Sequence, residues 1–292
     1  MQEFFLATLT GFEKVVFLVC IGLALEYLRP ADKDQPASSI IFNIVWIAFY
    51  LAMTNLLMLF LGKYIQIGIN ALGGPLIKID FPTGIWGWVL QFMVFALIHD
   101  FCYYWFHRSQ HTWRWFWAHH KFHHTDEHMN ASTSFRHHWL ENIYRIPYIF
   151  IPMGLVNFNG TMPALWFDGL LLWAIFTHMN LRLHMGPLTR VIAGPQVHRI
   201  HHSNLEEHKD RNFGAFFPIW DQMFGTYHHP HKDEFPACGT IDNDQTKSMW
   251  QANFGVFVDW YRLIWPKPMA HAPAPAPVAV AVAPNASHHA PD

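Results

Sequence analysis

The sequence predicts an all-α protein: an integral membrane helical bundle beneath a cytoplasmic, histidine-rich helical cap. Three observations lead there. Hydrophobic residues make up 52% of the 292 and charged residues only 14%, where soluble domains carry about 25% charge. Ile40–Leu61 contains no charged side chain and exceeds the ~20 residues a helix needs to cross a bilayer core. The spacing histidine, two residues, histidine-histidine occurs at 120–124 and again at 198–202, which places imidazoles on neighbouring faces of helices rather than of strands.

In chain order, Val15–Leu28 is the first apolar helix, interrupted only by Glu26 near its end. Without a basic leader or a small-residue cleavage site before it, it reads as a retained anchor. Ile40–Leu61 is the second crossing. Phe81–Ile98 is the third, its helix running on into His99–His111. Ile146–Phe167 and Gly169–Leu181 read as a helical hairpin that turns near Asn157–Pro163 and leaves and re-enters on one face. Four or five embedded helices result. The Pro/Ala-rich tail, with APAPAPVAVAVAP, has the composition of a disordered extension. The expected organisation is 1–84 anchor helices, 85–232 catalytic region, 233–265 C-terminal extension and 266–292 tail.

Three crossings followed by a hairpin put both histidine-rich regions on one side. Arg108, Arg114, Lys121, Arg136, Arg190, Arg199, Lys209 and Arg211 accompany them, which assigns that side to the cytoplasm, although Lys63–Asp80 on the other side carries basic residues too. A net charge of −2 argues against nucleic acid as a partner. Cys20, Cys102 and Cys238 form neither a CxxC pair nor a disulfide framework.

Nineteen of the 22 histidines fall between His99 and His231. In HRSQH, His107 and His111 align on a helix; so do His120, His123 and His124 in HKFHH, and His198, His201 and His202 in HRIHH. Each group can direct ring nitrogens at one point, as a metal requires. Imidazole suits zinc, iron, copper and nickel. Eight aligned histidines exceed the needs of one zinc, so two ions use them better, and iron activates O₂ whereas zinc has no redox chemistry. For His119, His128, His137, His138, His184 and His208 a structural role is expected. Trp113, Trp115 and Trp117 read as interfacial anchors.

HDFCYYWFHRSQH at 99–111, WAHHKFHH at 117–124, HRIHH at 198–202 and NFGAFFPIWDQMFGTY at 212–227 resemble the fatty acid hydroxylase/sterol desaturase superfamily, in particular its alkylglycerol monooxygenase-like members and bacterial sterol desaturase relatives. The resemblance covers about residues 85–230. It implies metal ligation by His107, His111, His120, His123, His124, His198, His201 and His202, by the isolated His178 in FTHMN, and by His99 as the extra histidine of one subgroup. It further implies a non-haem di-iron centre of two Fe ions, O₂ as co-substrate, and a lipid substrate such as a sterol, fatty acyl chain or ether lipid, hydroxylated or desaturated.

Asp100, Asp126, Glu127 and Asp221 are candidates to orient the ligand rings. Asn130 and Arg136 are further candidates to position histidines or substrate. Phe92, Phe95, Phe101, Tyr103 and Tyr104 either line a lipid path or pack between helices. No GxGxxG fingerprint, CxxCH haem site or iron–sulfur cysteine set is present, so reducing equivalents come from an external ferredoxin, cytochrome or reductase. Two other classes were weighed. An intramembrane zinc hydrolase would carry HExxH, which is absent. A non-catalytic haem or metal-binding membrane protein would place two histidines on facing helices, not HxxHH triplets near helix ends.

Overall fold

The computed structural model describes residues 2–158 and 163–266. Ten helical segments, a few 3₁₀ turns and one short two-stranded ribbon make up the described chain. Helices α1 (Gln2–Glu26), α2 (Ala37–Ala71) and α3 (Ile85–Thr112) are each long and apolar enough to cross a membrane. Apolar side chains point outward over much of their length, among them Phe17, Leu59, Phe60 and Trp86, as a lipid solvent allows. Between α2 and α3, strand β1 (Ile77–Ile79) pairs in parallel with β2 (Val156–Phe158), with Ile77 opposite Val156. This ribbon is the one departure from the all-α expectation among the described residues.

Helix α3 runs without a break from the membrane span into the first histidine box. It stops at Trp113, whose extended backbone (φ −102°, ψ 118°) turns the chain into α4 (Arg114–His124). The reversal lays α4 back along the end of α3 and sets the second box against the first.

The expected hairpin turns between α6 (Ile151–Gly154) and α7 (Pro163–His178); residues 159–162 of the turn lie outside the described residues. Its first limb begins earlier than the sequence indicated, at α5 (Glu141–Arg145), and reaches α6 through one π-helical turn at Ile146–Phe150. Pro147 and Pro152 lack the N–H that a regular ladder needs, and the ladder shifts register between them. Neither limb is as long as α1–α3, so three described helices have full spanning length. Gly169 does not break α7. A Cβ there would stand 3.1 Å from the ring of Phe92, so glycine lets α7 close on α3.

Past α7, a 3₁₀ turn leads to the short α8 (Pro195–His201), which starts with proline at its first position. Helix α9 (Ile219–Phe224) follows, and α10 (Met249–Ile264) packs on α4. Buried Ala252 of α10 joins Trp46, Tyr50 and Phe122 in one apolar cluster, so the C-terminal extension rests on the helix that bears the second box. The tail from 267 onward lies outside the described residues.

A polar layer joins the membrane helices to the cap. Gly22 of α1 lies where a Cβ would come within 2.7 Å of Ala131 Cβ. One turn on, the buried Glu26 carboxylate accepts the Ala131 N–H at 2.7 Å. The charge that interrupts the first apolar run therefore caps the 3₁₀ turn Ala131–Phe135. Asn130 caps the same turn from within, its side chain accepting from Ser132 N.

Candidate metal centre

Helices α3, α4, α7 and α8 converge on two groups of imidazoles. His107, His111, His120, His124 and His201 form the first; His123, His178, His198 and His202 form the second. Within each group the nearest ring nitrogens all lie within 4.8 Å of one another. Nine of the ten histidines singled out from the sequence are thus brought together. His99 is in neither group; its ring stacks between Phe95 and Tyr103, one to two turns along α3.

The boxes do not each serve one site. In 120–124 the i and i+4 members, His120 and His124, enter the first group, and the i+3 member, His123, enters the second. In 198–202 the pattern is reversed: His198 and His202 enter the second group and His201 the first. Helix geometry dictates the split, because successive residues are about 100° apart around the axis, and the last two histidines of a box cannot face one point. The groups are contiguous, with the His124 and His202 rings stacked at 4.4 Å between centroids.

Backbone carbonyls fix the rings. Nδ1–H of His107 donates to Phe213 O at 2.8 Å, that of His178 to Ala174 O at 2.7 Å, and that of His201 to Arg211 O at 2.8 Å. A carbonyl only accepts, so in a neutral ring each Nε2 is left as a bare lone pair. These lone pairs face other imidazoles: His107 Nε2 is 3.1 Å from His120 Nε2, and His178 Nε2 is 3.1 Å from His123 Nε2 and 3.0 Å from His198 Nε2. Nε2 of His111, His124 and His201 has no hydrogen-bond partner although buried. Burial, reinforced by neighbouring imidazoles, holds the pKa of His123, His124, His198, His201 and His202 well below the usual histidine range. The rings are neutral, each with one protonated nitrogen and one bare nitrogen. The residues fit metal ions: bare nitrogens about 3 Å apart match the edges of a shell with metal–nitrogen bonds of ~2.1 Å, and nothing else present satisfies them.

Four carboxylates were candidates to orient these rings, and the hydrogen bonds found for them lead elsewhere. Asp100 accepts the backbone N–H groups of Ala215, Phe216 and Phe217 at 2.8–3.0 Å. Asp221 accepts those of Phe213 and Gly214. Together they shape the loop whose Phe213 carbonyl holds His107. Asp126 accepts from Asn43, Thr133 and Ser39, and Glu127 from Gln245. Glu141 lies fully buried at the rings, with Nδ1 of His137 at 3.1 Å, His120 at 3.5 Å and His119 at 3.7 Å, and Arg145 at 3.7 Å; the exposed Asp210 has Oδ1 3.5 Å from His111 Nδ1. Burial opposes the ionisation of Glu141, yet the surrounding imidazoles of His137, His119 and His120 hold its pKa well below the ordinary carboxylate value, although neither oxygen makes a well-aligned hydrogen bond to them. His137 also stacks on His123 at 4.3 Å. Neither residue stands out as metal-related in the sequence. Their one signal was His137–Glu141 at i,i+4, across the start of a short helix.

Arg136 acts on the box helix itself. Its guanidinium donates to Phe122 O at 3.1 Å and to Thr125 Oγ1 at 3.0 Å, at the C-terminal end of α4 where a cation is favoured. Trp117, half-buried, packs on His111 and His124 at 5.1 and 5.4 Å, while Trp113 and Trp115 are exposed.

Two cavities reach the centre. A polar one of about 250 Å³, bordered by Glu206, Lys209 and Asp210, opens on His111, His124 and His201. An apolar one of about 230 Å³ runs from Phe167, Leu170, Leu171 and Ala174 to His178 and His198, with His99 and Tyr103 on its wall. Of the five aromatics considered for a lipid path, Tyr103 alone lines this cavity. Phe92 packs on Phe216, Phe95 on Trp166 and Phe101 on Trp220, and buried Tyr104 hydrogen-bonds Thr226.

Fold and site define a chain with three helices long and apolar enough to cross a membrane, beside two buried groups of imidazoles that could hold metal ions. Residues 92–226, the stretch that holds every member of both groups, match the model of the fatty acid hydroxylase family, so the resemblance read from the motifs holds. The chain is similar to alkylglycerol monooxygenase of Caenorhabditis elegans, 33% identical over 55% of this chain and 31% of that protein. It is similar to the ornithine lipid hydroxylase of Rhizobium tropici, 29% identical over 53% and 46%. It is also similar to the Delta(7)-sterol 5(6)-desaturase of Gibberella zeae, 33% identical over 51% and 41%. The matches span less than half the length of each of these relatives. No solved structure matches it. The similarity lies in the stretch that carries both histidine groups.

Proposed function

We propose that the chain is a non-haem di-iron oxidoreductase that uses O₂ to hydroxylate, or alternatively desaturate, a membrane lipid such as a sterol, a fatty acyl chain or an ether lipid. The observation that carries this reading is the reciprocal sharing of two HxxHH boxes between contiguous groups of neutral imidazoles, reached by an apolar cavity from the membrane helices. In this reading one iron is held by His107, His111, His120, His124 and His201, and the other by His123, His178, His198 and His202. His99 borders the substrate cavity instead of ligating. Two irons held there would supply the O₂ activation that attack on an unactivated C–H bond requires, with electrons delivered from the external donor.

The chain's own residues do the rest. Phe167, Leu170 and Ala174 exclude water and align an apolar chain toward His178 and His198. The Phe213, Arg211 and Ala174 carbonyls fix ring orientation and tautomer. Glu141 and Arg145 hold a balanced charge pair behind His120. Reduction comes from an external ferredoxin, cytochrome or reductase, for which the polar cavity beside His111 and His124 offers the nearer approach.

The side of the membrane follows from the basic residues, with fewer free charges than the sequence suggested. Arg136 and Arg199 are buried, and Lys121 is paired with Asp244 and Asp259. Arg114, Arg190, Lys209 and Arg211 still favour a cytoplasmic cap. The test is lipid analysis of a host with and without the gene under labelled O₂. A lipid that gains one labelled oxygen, or loses two hydrogens, supports the proposal; an unchanged lipid profile with an active, iron-loaded protein contradicts it.

A further inference from the structure

A third cluster of ligating side chains lies in the cap and shares no residue with the two groups above. His208 Nε2 and His228 Nε2 stand 3.0 and 2.9 Å from the same oxygen, Glu234 Oε1. All three donor atoms lie within 4.8 Å of one another. The second carboxylate oxygen of Glu234 is held by the backbone N–H of His231 at 2.7 Å, which aims Oε1 at the two rings. A further carboxylate, exposed Glu207, has Oε1 3.8 Å from His208 Nε2. His208 is buried, while His228 and Glu234 keep some exposure, so the cluster has a closed floor and an opening to solvent.

We propose that His208, His228 and Glu234 form a separate binding site for a divalent ion of the zinc class, with Glu207 or water completing the shell. Two imidazoles and one carboxylate are a donor set that zinc takes with a position left open. Separations of 2.9–3.0 Å are those of atoms sharing one small ion, and the hydrogen bond from His231 is the outer contact that orients a ligating carboxylate.

The site's position gives it a structural task. His208 ends the 3₁₀ turn that follows the 198–202 box, and the next residues include Arg211 and Phe213, whose carbonyls hold His201 and His107. His228 is tied to the same loop through Asn212, whose side chain accepts the His228 N–H at 2.8 Å and donates to Val197 O on α8. Asp210 and Asn212 adopt left-handed backbone (φ 57° each), a conformation that needs outside support in non-glycine residues. An ion across His208, His228 and Glu234 would clamp both ends of this loop.

The test uses the full chain in detergent with the metal content it carries on purification. Dialysed against micromolar zinc, the wild-type protein is expected to bind further zinc, of which Glu234→Gln and His228→Ala each lose one equivalent while their iron content stays unchanged. X-ray absorption at the zinc edge of the wild-type protein should show two imidazoles and carboxylate oxygen, a result that needs no variant to fold. No added zinc in the wild type, equal zinc in wild type and both variants, or a shell without imidazole would overturn the proposal and leave the trio a hydrogen-bonded histidine–glutamate bridge.

Discussion

His123 and His124 are adjacent in the chain, yet their rings stand at 89° to each other, 5.6 Å apart, and belong to different histidine groups. Their divergence shows how one helix serves two sites. Neither HxxHH box can be deleted without damage to both groups, and a single histidine can be removed from one.

Removal of single rings should therefore separate the two sites. His124→Ala, or His111→Ala, should lower iron from two per chain towards one by loss at the first group. His123→Ala should do the same at the second, and the His123/His124 double variant should bind little iron. Even neighbours of metal ligands cost about 10–100-fold when altered, so each single variant should lose more than ~100-fold in lipid oxidation. Iron analysis and product assay of the three variants check this; full iron in the double variant would refute the partition.

Glu141→Gln keeps the shape of the side chain but removes the charge shared by His119, His120, His137 and Arg145. Breaking a buried charge pair from one side costs about 3–5 kcal/mol. We expect a clear fall in thermal unfolding temperature and a loss of about 10–100-fold in activity through misorientation of His120. Glu141→Asp should recover part of both. Thermal melts and product assays on the two variants decide it, and a Glu141→Gln protein as stable and active as wild type would show the carboxylate to be idle.

His138 makes stability depend on pH. Its Nδ1 accepts the Leu140 N–H and its Nε2–H donates to Asn253 O, both at 3.2 Å. Burial, offset in part by the bond to Asn253, lowers its pKa from 6.5 to about 4. Between those values the unfolded chain binds the proton and the folded chain does not, so this contribution is present above about pH 6.5 and is lost as pH falls towards about 4. The full loss amounts to about 3 kcal/mol. Melting temperatures of wild type and His138→Gln, from pH 7 down to 4, should show the steeper decline in wild type; parallel curves would contradict the assignment.

Ala174→Phe fills the apolar cavity beside His178 without removing a histidine. Iron content should stay at the wild-type level while turnover of long-chain lipid falls more than ~10-fold, with shorter chains affected least. Wild-type turnover of every lipid by Ala174→Phe would mean that substrate does not enter there.

Much of the site was legible in the sequence because its chemistry follows helical spacing. His107/His111 and the two HxxHH boxes announce themselves by repetition, and His178 by its likeness to a family position. His137 and Glu141 were not legible: they follow a 3₁₀ turn with no periodic neighbours, and tertiary packing alone brings them to His120. The ring-orienting groups were misread for a related reason. Asp100 and Asp221 lie near the boxes in sequence, but their oxygens are taken by backbone N–H groups of the 213–217 loop, and the carbonyls that hold the rings leave no mark in side-chain identity. In the fold, the three long apolar runs translated directly into α1–α3. The first hairpin limb was placed too late, since Pro147 and Pro152 suggest breaks where a π turn carries the helix through. The β1–β2 ribbon joins segments far apart in the chain, with no alternating pattern in either.

The most direct test of the account is anomalous diffraction at the iron absorption edge from crystals of the intact protein. Two peaks per chain are predicted, one amid His107, His111, His120, His124 and His201 and the other amid His123, His178, His198 and His202. A single peak, peaks outside these groups, or none in an active preparation would contradict it.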